Sequence, residues 1–187
     1  MTKKELYDSL EISPIIAAVN ERHLEQALKS PVDVIFLLGS SILSVKENID
    51  AAHKNNKRIF VHIDLAEGIG KDKAGVEFLA KNGADGIIST KAMLIKCAKE
   101  HGLVTVQRFF ALDSQGVGSI SDMLLNTNPD FIEIMPGVIG KIIERFSNER
   151  IPLISGGLIE TKADVTTALN LGAFAVSTGK SELWYID

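Results

Sequence analysis

The sequence predicts an α/β fold, a compact (β/α)8 barrel of the TIM type with a truncated last helix. Three observations predict it. Eight short runs rich in β-formers alternate with amphipathic helical stretches. The starts of these runs recur at roughly 18–27 residues, as expected of successive βα units in a parallel sheet that closes on itself. The last two runs each lead into a small-residue turn, Ser155-Gly156-Gly157 and Ser177-Thr178-Gly179-Lys180. Barrels of this kind typically have about 250 residues, whereas this chain has 187. The shortage falls at the end, where Lys180–Asp187 leaves only a stub for the eighth helix. A flavodoxin-like open sheet competes, but it normally has fewer strands.

The strands are expected at Ile15–Val19, Val34–Leu38, Ile59–Asp64, Gly86–Ser89, Val104–Gln107, Phe131–Met135, Leu153–Ser155 and Ala175–Thr178. Helical spacing of apolar residues fills the gaps: Leu24-x-x-Ala27-Leu28, Val45-x-x-x-Ile49, Val76-x-x-Leu79-Ala80, Met93-Leu94-x-x-Cys97-Ala98, Met123-Leu124-Leu125, Ile139-x-x-Ile142-Ile143 and Val165-x-x-Ala168-Leu169. Several of these end just before glycine, at Asn82-Gly83, His101-Gly102 and Leu171-Gly172. No linker or low-complexity stretch divides the chain, so residues 1–187 read as one domain.

Hydrophobic residues make up 45% and charged residues 24%, which is ordinary for a soluble globular protein. No apolar run is long enough to span a bilayer, and the lysines near the N-terminus have no apolar stretch behind them to form a signal peptide. Cys97 stands alone, so no internal disulfide can form; this fits a reducing cytoplasm. The net charge of −4 argues against a generally basic nucleic-acid binder while leaving room for a local patch. The most concentrated is Lys54-Asn55-Asn56-Lys57-Arg58. Lys91, Lys96 and Lys99 form a stripe, and Lys141, Arg145 and Arg150 form a late set.

In a barrel, the loops after strands 7 and 8 often cradle a phosphate. That assigns Gly156, Gly157, Ser177, Thr178 and Gly179 to phosphate binding. Alternation along the strands turns His62, Asp64, Gln107 and Glu133 toward the barrel axis, near the C-terminal strand ends where sites lie. Burying these four without partners would cost a few kcal/mol each. They are expected either to meet a hydrogen-bonded ligand or to form a structural polar layer. Lys91 stands at the rim, to reach the ligand or remain solvated. Arg108 could pair with an anion or anchor the Asp113-Ser114-Gln115-Gly116 loop. Gly179-Lys180-Ser181 resembles the tail of a P-loop, but Phe174 stands where the first glycine is needed. His62-x-Asp64 with Glu133 has no second histidine at ligand spacing, so no metal is expected.

Pro14-Ile15-Ile16-Ala17-Ala18-Val19, Phe36-Leu37-Leu38-Gly39-Ser40, His62-Ile63-Asp64-Leu65, Asp85-Gly86-Ile87-Ile88-Ser89-Thr90-Lys91, Val106-Gln107-Arg108, Pro129-Asp130-Phe131-Ile132-Glu133-Ile134-Met135-Pro136-Gly137 and Gly156-Gly157-Leu158-Ile159 follow in order along nearly the whole chain. This set resembles the glycerol-3-phosphate-responsive antiterminator family, with Gly179 as a departure where a small polar residue is expected. The resemblance implies a non-enzymatic regulator. Such a protein binds glycerol 3-phosphate, uses no cofactor, and acts on the leader mRNA of glycerol-utilisation operons. Gating would run through mobile loops or a homodimer interface. Lys54, Lys57 and Arg58 are the first candidates for RNA contact. The competing expectation is a barrel enzyme, an isomerase or lyase acting on a triose phosphate or small phosphosugar. It would use Asp64, Glu133 and His62 as acid and base, and Lys91 as an amine nucleophile.

Overall fold

A computed structural model describes residues 2–186, the side chain of Gln115 excepted. It opens with a helix that the sequence reading omitted, α1 (Lys3–Ile12). Thr2 starts it with a capping box. The Thr2 hydroxyl accepts from the Glu5 amide at 3.2 Å, and the Glu5 carboxylate accepts from the Thr2 amide at 2.8 Å. Leu6 and Leu10, one turn apart, are buried in the cluster that fills the barrel interior. Tyr7 stacks on Phe174, just before the last strand, with ring centroids 4.3 Å apart. Helix α1 therefore closes the barrel at the N-terminal ends of its strands.

The alternating units follow as expected: β1 (Ile15–Asn20), α2 (Glu21–Leu28), β2 (Val34–Gly39), α3 (Val45–Lys54), β3 (Arg58–His62), α4 (Lys73–Lys81), β4 (Gly86–Ser89), α5 (Ala92–Glu100), β5 (Val104–Phe110), α6 (Ser114–Thr127), β6 (Phe131–Met135), α7 (Gly140–Ser147), β7 (Leu153–Gly156), α8 (Lys162–Asn170) and β8 (Ala175–Thr178). Each strand pairs in parallel with the next, and β8 pairs with β1 to close the barrel. After β8, where a full barrel unit would have a helix, there is only a 3-10 turn, Ser181–Tyr185, in line with the expected stub. No helix among the described residues is long and apolar enough to cross a membrane.

Two apolar layers result from strand alternation. Ile16, Phe36, Phe60, Ile88, Val106, Phe131 and Ile154 point inward. Ile35, Val61, Ile87, Ile132 and Val176 point outward against the helices, with Cys97 buried among them. Register corrects the reading of β5. Ile88, Val106 and Phe131 are partners across β4, β5 and β6, and laterally paired residues share a face. Val104 and Val106 therefore lie inside, and Thr105 and Gln107 outside. Valine suits either face, so the run Val-Thr-Val-Gln carried no parity signal. The outward polar groups find partners there. Gln107 Oε1 accepts from the Thr127 hydroxyl of α6 at 2.5 Å, and Thr105 Oγ1 donates to Asp130 at 2.9 Å. Strand β5 also runs past the expected Gln107 to Phe110, which places Arg108 on the inner face. Strand β3 instead stops at His62, and Asp64 lies in a 3-10 turn, Ile63–Leu65.

Candidate pocket at the barrel mouth

Above the apolar interior sits one polar layer. Glu133 of β6 is fully buried and takes the Arg108 Nε of β5 at 2.6 Å on one carboxylate oxygen. Its other oxygen accepts from the Ser177 hydroxyl of β8 at 2.5 Å. A buried ion pair recovers its desolvation cost only with good geometry and extra hydrogen bonds. Here Ser177 supplies one, and the guanidinium keeps further N–H groups to offer a ligand. Gly156 makes this geometry possible: a Cβ there would lie 2.5 Å from both Glu133 Oε1 and Ser177 Oγ.

His62 of β3 is buried at the same height, and its Nδ1 has no hydrogen-bond partner among the described residues. Burial lowers its pKa from 6.5 to about 4, and the Arg108 cation adds to the shift. The ring is neutral at neutral pH, with one donor and one acceptor nitrogen. Ser40 Oγ, at the end of β2, is likewise buried without a partner. Asp64 is already engaged, accepting from Ser89 Oγ, Thr90 N and Thr90 Oγ1 at 2.7–2.8 Å. Partial burial would raise its pKa, but these hydrogen bonds outweigh that and hold it below the usual carboxylate value. It fastens the β3 loop to the β4 loop. Lys91 stands exposed at the N-cap of α5. Gln107 is absent from this layer, for the register reason given above.

The two glycine turns meet beside the polar layer. Gly157 and Leu158 are consecutive left-handed residues, at φ +77° and +61°. The Gly157 carbonyl accepts from Gly137 N at 3.0 Å, and Ser155 Oγ donates to the Gly137 carbonyl at 2.8 Å, lacing the loops after β6 and β7 together. Thr178 ties the two turns to each other. Its hydroxyl donates to the Ile159 carbonyl at 2.8 Å and accepts from Lys180 N at 3.1 Å. Trp184, in the terminal 3-10 turn, donates its indole N–H to the Thr178 carbonyl at 3.0 Å. The Ser177 and Thr178 hydroxyls are thus committed to protein. The amides of Gly157, Leu158 and Gly179 take part in none of the loop or cap hydrogen bonds of the described residues. Helix α8 does not offer its first amides, because a Thr161–Asp164 capping box occupies its N-terminus.

These groups enclose a cavity of about 190 Å³, lined by Gly157, Leu158, Gly179, Arg108, Glu133 and Ser177, with Ala18, Leu38 and Met135 as apolar walls. Larger hollows lie elsewhere, about 450 Å³ between the β5 loop and α7 and about 580 Å³ beneath α1. The mouth cavity alone among these three combines buried charge with uncommitted amides. Among the described residues no group of three or more His, Cys, Asp or Glu side chains could hold a metal.

Residues 15–184 match the family described as glycerol-3-phosphate responsive antiterminator. The chain belongs to that family. Among other antiterminator-family structures, that of the glycerol uptake operon antiterminator regulatory protein of Listeria monocytogenes is 32% identical, covers 92% of this chain and 95% of its own, and superposes with a TM-score of 0.87. An antiterminator-related protein of Thermotoga maritima, also 32% identical, covers 92% and 98% with a TM-score of 0.83. The uncharacterized protein YgcP of Escherichia coli K12 is 35% identical over 94% of this chain and 93% of its own. A deoxyribose phosphate aldolase of Aeropyrum pernix, at 12% identity and a TM-score of 0.69, shares the fold alone.

In this family member the expected basic cluster lies far from the mouth. Lys54 ends α3 and Arg58 begins β3, so both sit at the N-terminal end of the barrel. Lys57 donates to the Ser30 carbonyl at 2.8 Å. At the pocket, sequence reasoning missed the turn residues Leu158 and Ile159 and the walls Ala18, Leu38 and Met135. The three walls stand at or near the C-terminal end of a strand on the inward parity, the signal that could have found them.

Proposed function

We propose that this antiterminator-family chain is a cytoplasmic sensor of glycerol 3-phosphate. The ligand's phosphate rests on the amides of Gly157 and Gly179, in the turns formed by Gly156 and by Ser177 and Thr178. Arg108 supplies the compensating charge. Glu133 and the unpartnered His62 Nδ1 take the hydroxyls. Asp64 and Lys91 act from the rim, Asp64 by fixing the loops and Lys91 by adding positive potential. The loaded protein binds the leader mRNA of glycerol-utilisation operons and prevents termination. It acts through unequal affinity of the ligand for RNA-competent and incompetent states. No cofactor, metal or catalytic step is needed.

The single observation that carries this reading is the Arg108–Glu133–Ser177 set opening onto a small, amide-lined cavity. Its volume of about 190 Å³ lies below the roughly 300–1,000 Å³ of sites for drug-sized ligands. That favours a three-carbon phosphate over a phosphosugar. Calorimetry with glycerol 3-phosphate, glycerol, inorganic phosphate and glucose 6-phosphate tests the pocket; binding only the first, or the first far more tightly, is expected. Titration of a leader-RNA fragment with and without glycerol 3-phosphate tests the gate. Equal RNA affinity in both conditions would sink it.

A further inference from the structure

Two cations without acidic partners and an exposed aromatic residue stand near the end of β5, on a face that the function above leaves unused. Strand β5 carries Arg108 in the mouth cavity and, two residues on, Phe110, which is 50% exposed. The Ala111 amide donates to the Met135 carbonyl at 2.8 Å, and Met135 lines the cavity. The chain then turns outward through Leu112, 82% exposed, and forms one wall of a groove of about 450 Å³. The opposite wall is α7, which presents Lys141 and Arg145 to the groove, both exposed and one helical turn apart. Among the described residues neither has an acidic partner within 4.0 Å. The carboxylate lining the groove, Asp113, is turned to the Gly116 amide at 2.7 Å, where it caps α6.

We infer that this groove, lined by Leu112, Lys141 and Arg145 and reached by the chain one residue after the exposed Phe110, is the RNA-docking surface, and that it takes a single-stranded segment of the leader. The inference rests on the RNA-regulator reading above and says where the RNA goes. Single-stranded RNA is bound by cations that track its phosphates and by aromatic faces on which unstacked bases lie. The exposed Phe110 ring before the groove and the two cations in it, neither paired with a carboxylate though Arg145 lies 5.5 Å from the Phe146 ring centroid, can supply both, whereas a double-stranded segment would hide its base faces. The cluster of Lys54, Lys57 and Arg58 offers cations without an exposed aromatic residue among its members, and it stands at the far end of the barrel. The groove also borders the ligand. Arg108 and Phe110 share one strand and one face, and Phe110 pairs with Met135 in register. A ligand that reorders Arg108 or Met135 therefore acts on the strand end that carries Phe110 and leads into the groove wall at Ala111 and Leu112.

The test measures anisotropy of a labelled single-stranded leader fragment across a salt series, at saturating glycerol 3-phosphate and without it. Four proteins are compared: wild type, Lys141→Ala with Arg145→Ala, Phe110→Ala, and Lys54→Ala with Lys57→Ala and Arg58→Ala. A Lys141→Gln, Arg145→Gln version guards against helix effects of alanine. Calorimetric affinity for glycerol 3-phosphate, expected unchanged in the groove cation variants, verifies that they are folded. Losing two phosphate contacts is expected to lower the salt slope of binding by about 1.4, at about 0.7 per contact on a single strand. Losing the ring is expected to weaken binding roughly tenfold with the slope intact, within the range for base–aromatic stacking. The distal triple variant is expected to bind as wild type does. If wild type binds RNA but the groove variants match it in affinity and slope, or only the distal variant loses binding, the groove is overturned while the regulator reading stands. If wild type binds no leader RNA at any ligand concentration, both fall.

Discussion

Replacing Arg108 with Met separates what the buried pair does for the fold from what it does for the ligand. In the wild type the Glu133 carboxylate is fully buried and held by Arg108 at 2.6 Å and Ser177 at 2.5 Å. Arg108→Met removes the cation but leaves the carboxylate in place with one hydroxyl donor. Breaking one partner of a buried pair costs about 3–5 kcal/mol. For a chain of this length that corresponds to a fall in Tm of roughly 6–20 °C, at about 2–4 °C per kcal/mol. Adding Glu133→Leu removes the stranded charge. Apolar replacement of a whole buried pair is often neutral or stabilising by about 1–4 kcal/mol, so the double variant is expected to recover most of the loss. Urea unfolding of wild type, both single variants and the double variant closes the cycle. Ligand affinity behaves differently: calorimetry is expected to show glycerol 3-phosphate binding lost in Arg108→Met and not regained in the double variant. Two results would refute the reasoning. One is an Arg108→Met protein as stable as wild type. The other is a double variant that binds glycerol 3-phosphate with wild-type affinity.

The remaining predictions concern neighbouring parts of the same architecture. His62 has its pKa lowered from 6.5 to about 4 by burial, so the unfolded chain takes up the proton first as pH falls. Stability is then full above about pH 6.5 and lost toward pH 4, by about 3 kcal/mol at most. Urea midpoints of wild type and His62→Gln at pH 7 and pH 5 check this, the variant showing the weaker pH dependence. Gly156→Ala would set a Cβ 2.5 Å from Glu133 Oε1 and Ser177 Oγ. It is expected to cost about 1–3 kcal/mol by overpacking and to lower glycerol 3-phosphate affinity, read by the same calorimetry. Leu10→Ala removes a fully buried plug side chain of α1. It is expected to destabilise the barrel by about 2–5 kcal/mol with ligand affinity unaltered, since α1 lies at the opposite end.

The strands and helices were legible wherever the two faces of an element differ chemically. Helix-spaced apolar residues such as Ile142 and Ile143 marked α7, whose buried face they form with Phe146. In β3 and β6 a polar residue alternates with isoleucine or valine, and His62 and Glu133 were turned inward correctly. Strand β5 lacked that contrast. Thr105 and Gln107 are polar and buried, and it takes the strand register and their partners on Asp130 and Thr127, some 20–25 residues away in sequence, to show that they face away from the axis. The same parity error hid the place of Arg108. Helix α1 was readable but unread: Thr2 and Glu5 form a capping box ahead of Leu6 and Leu10. What no local pattern could show is the pairing itself. Arg108, Glu133 and Ser177 come from three strands and meet only when the barrel closes.

That pairing also bears on why a barrel mouth of this kind suits sensing better than proton transfer. A general acid or base works best with a pKa near the operating pH and with a proton it can move. Glu133 is fixed on both oxygens by Arg108 and Ser177, Asp64 by three donors from β4 and its loop. His62 is held neutral with a pKa of about 4. Each titratable group at the axis is thus either locked in one charge state or committed to protein. Such groups are poor proton shuttles, but they make a rigid, charged floor whose few open positions are the unpaired His62 Nδ1, the free N–H groups of Arg108 and the glycine amides. A hydrogen bond to the buried His62 Nδ1 carries weight because a buried polar group left unpaired costs about 1–3 kcal/mol. One of the open positions, Arg108, is carried by β5, the strand whose end leads into the wall of the α7 groove.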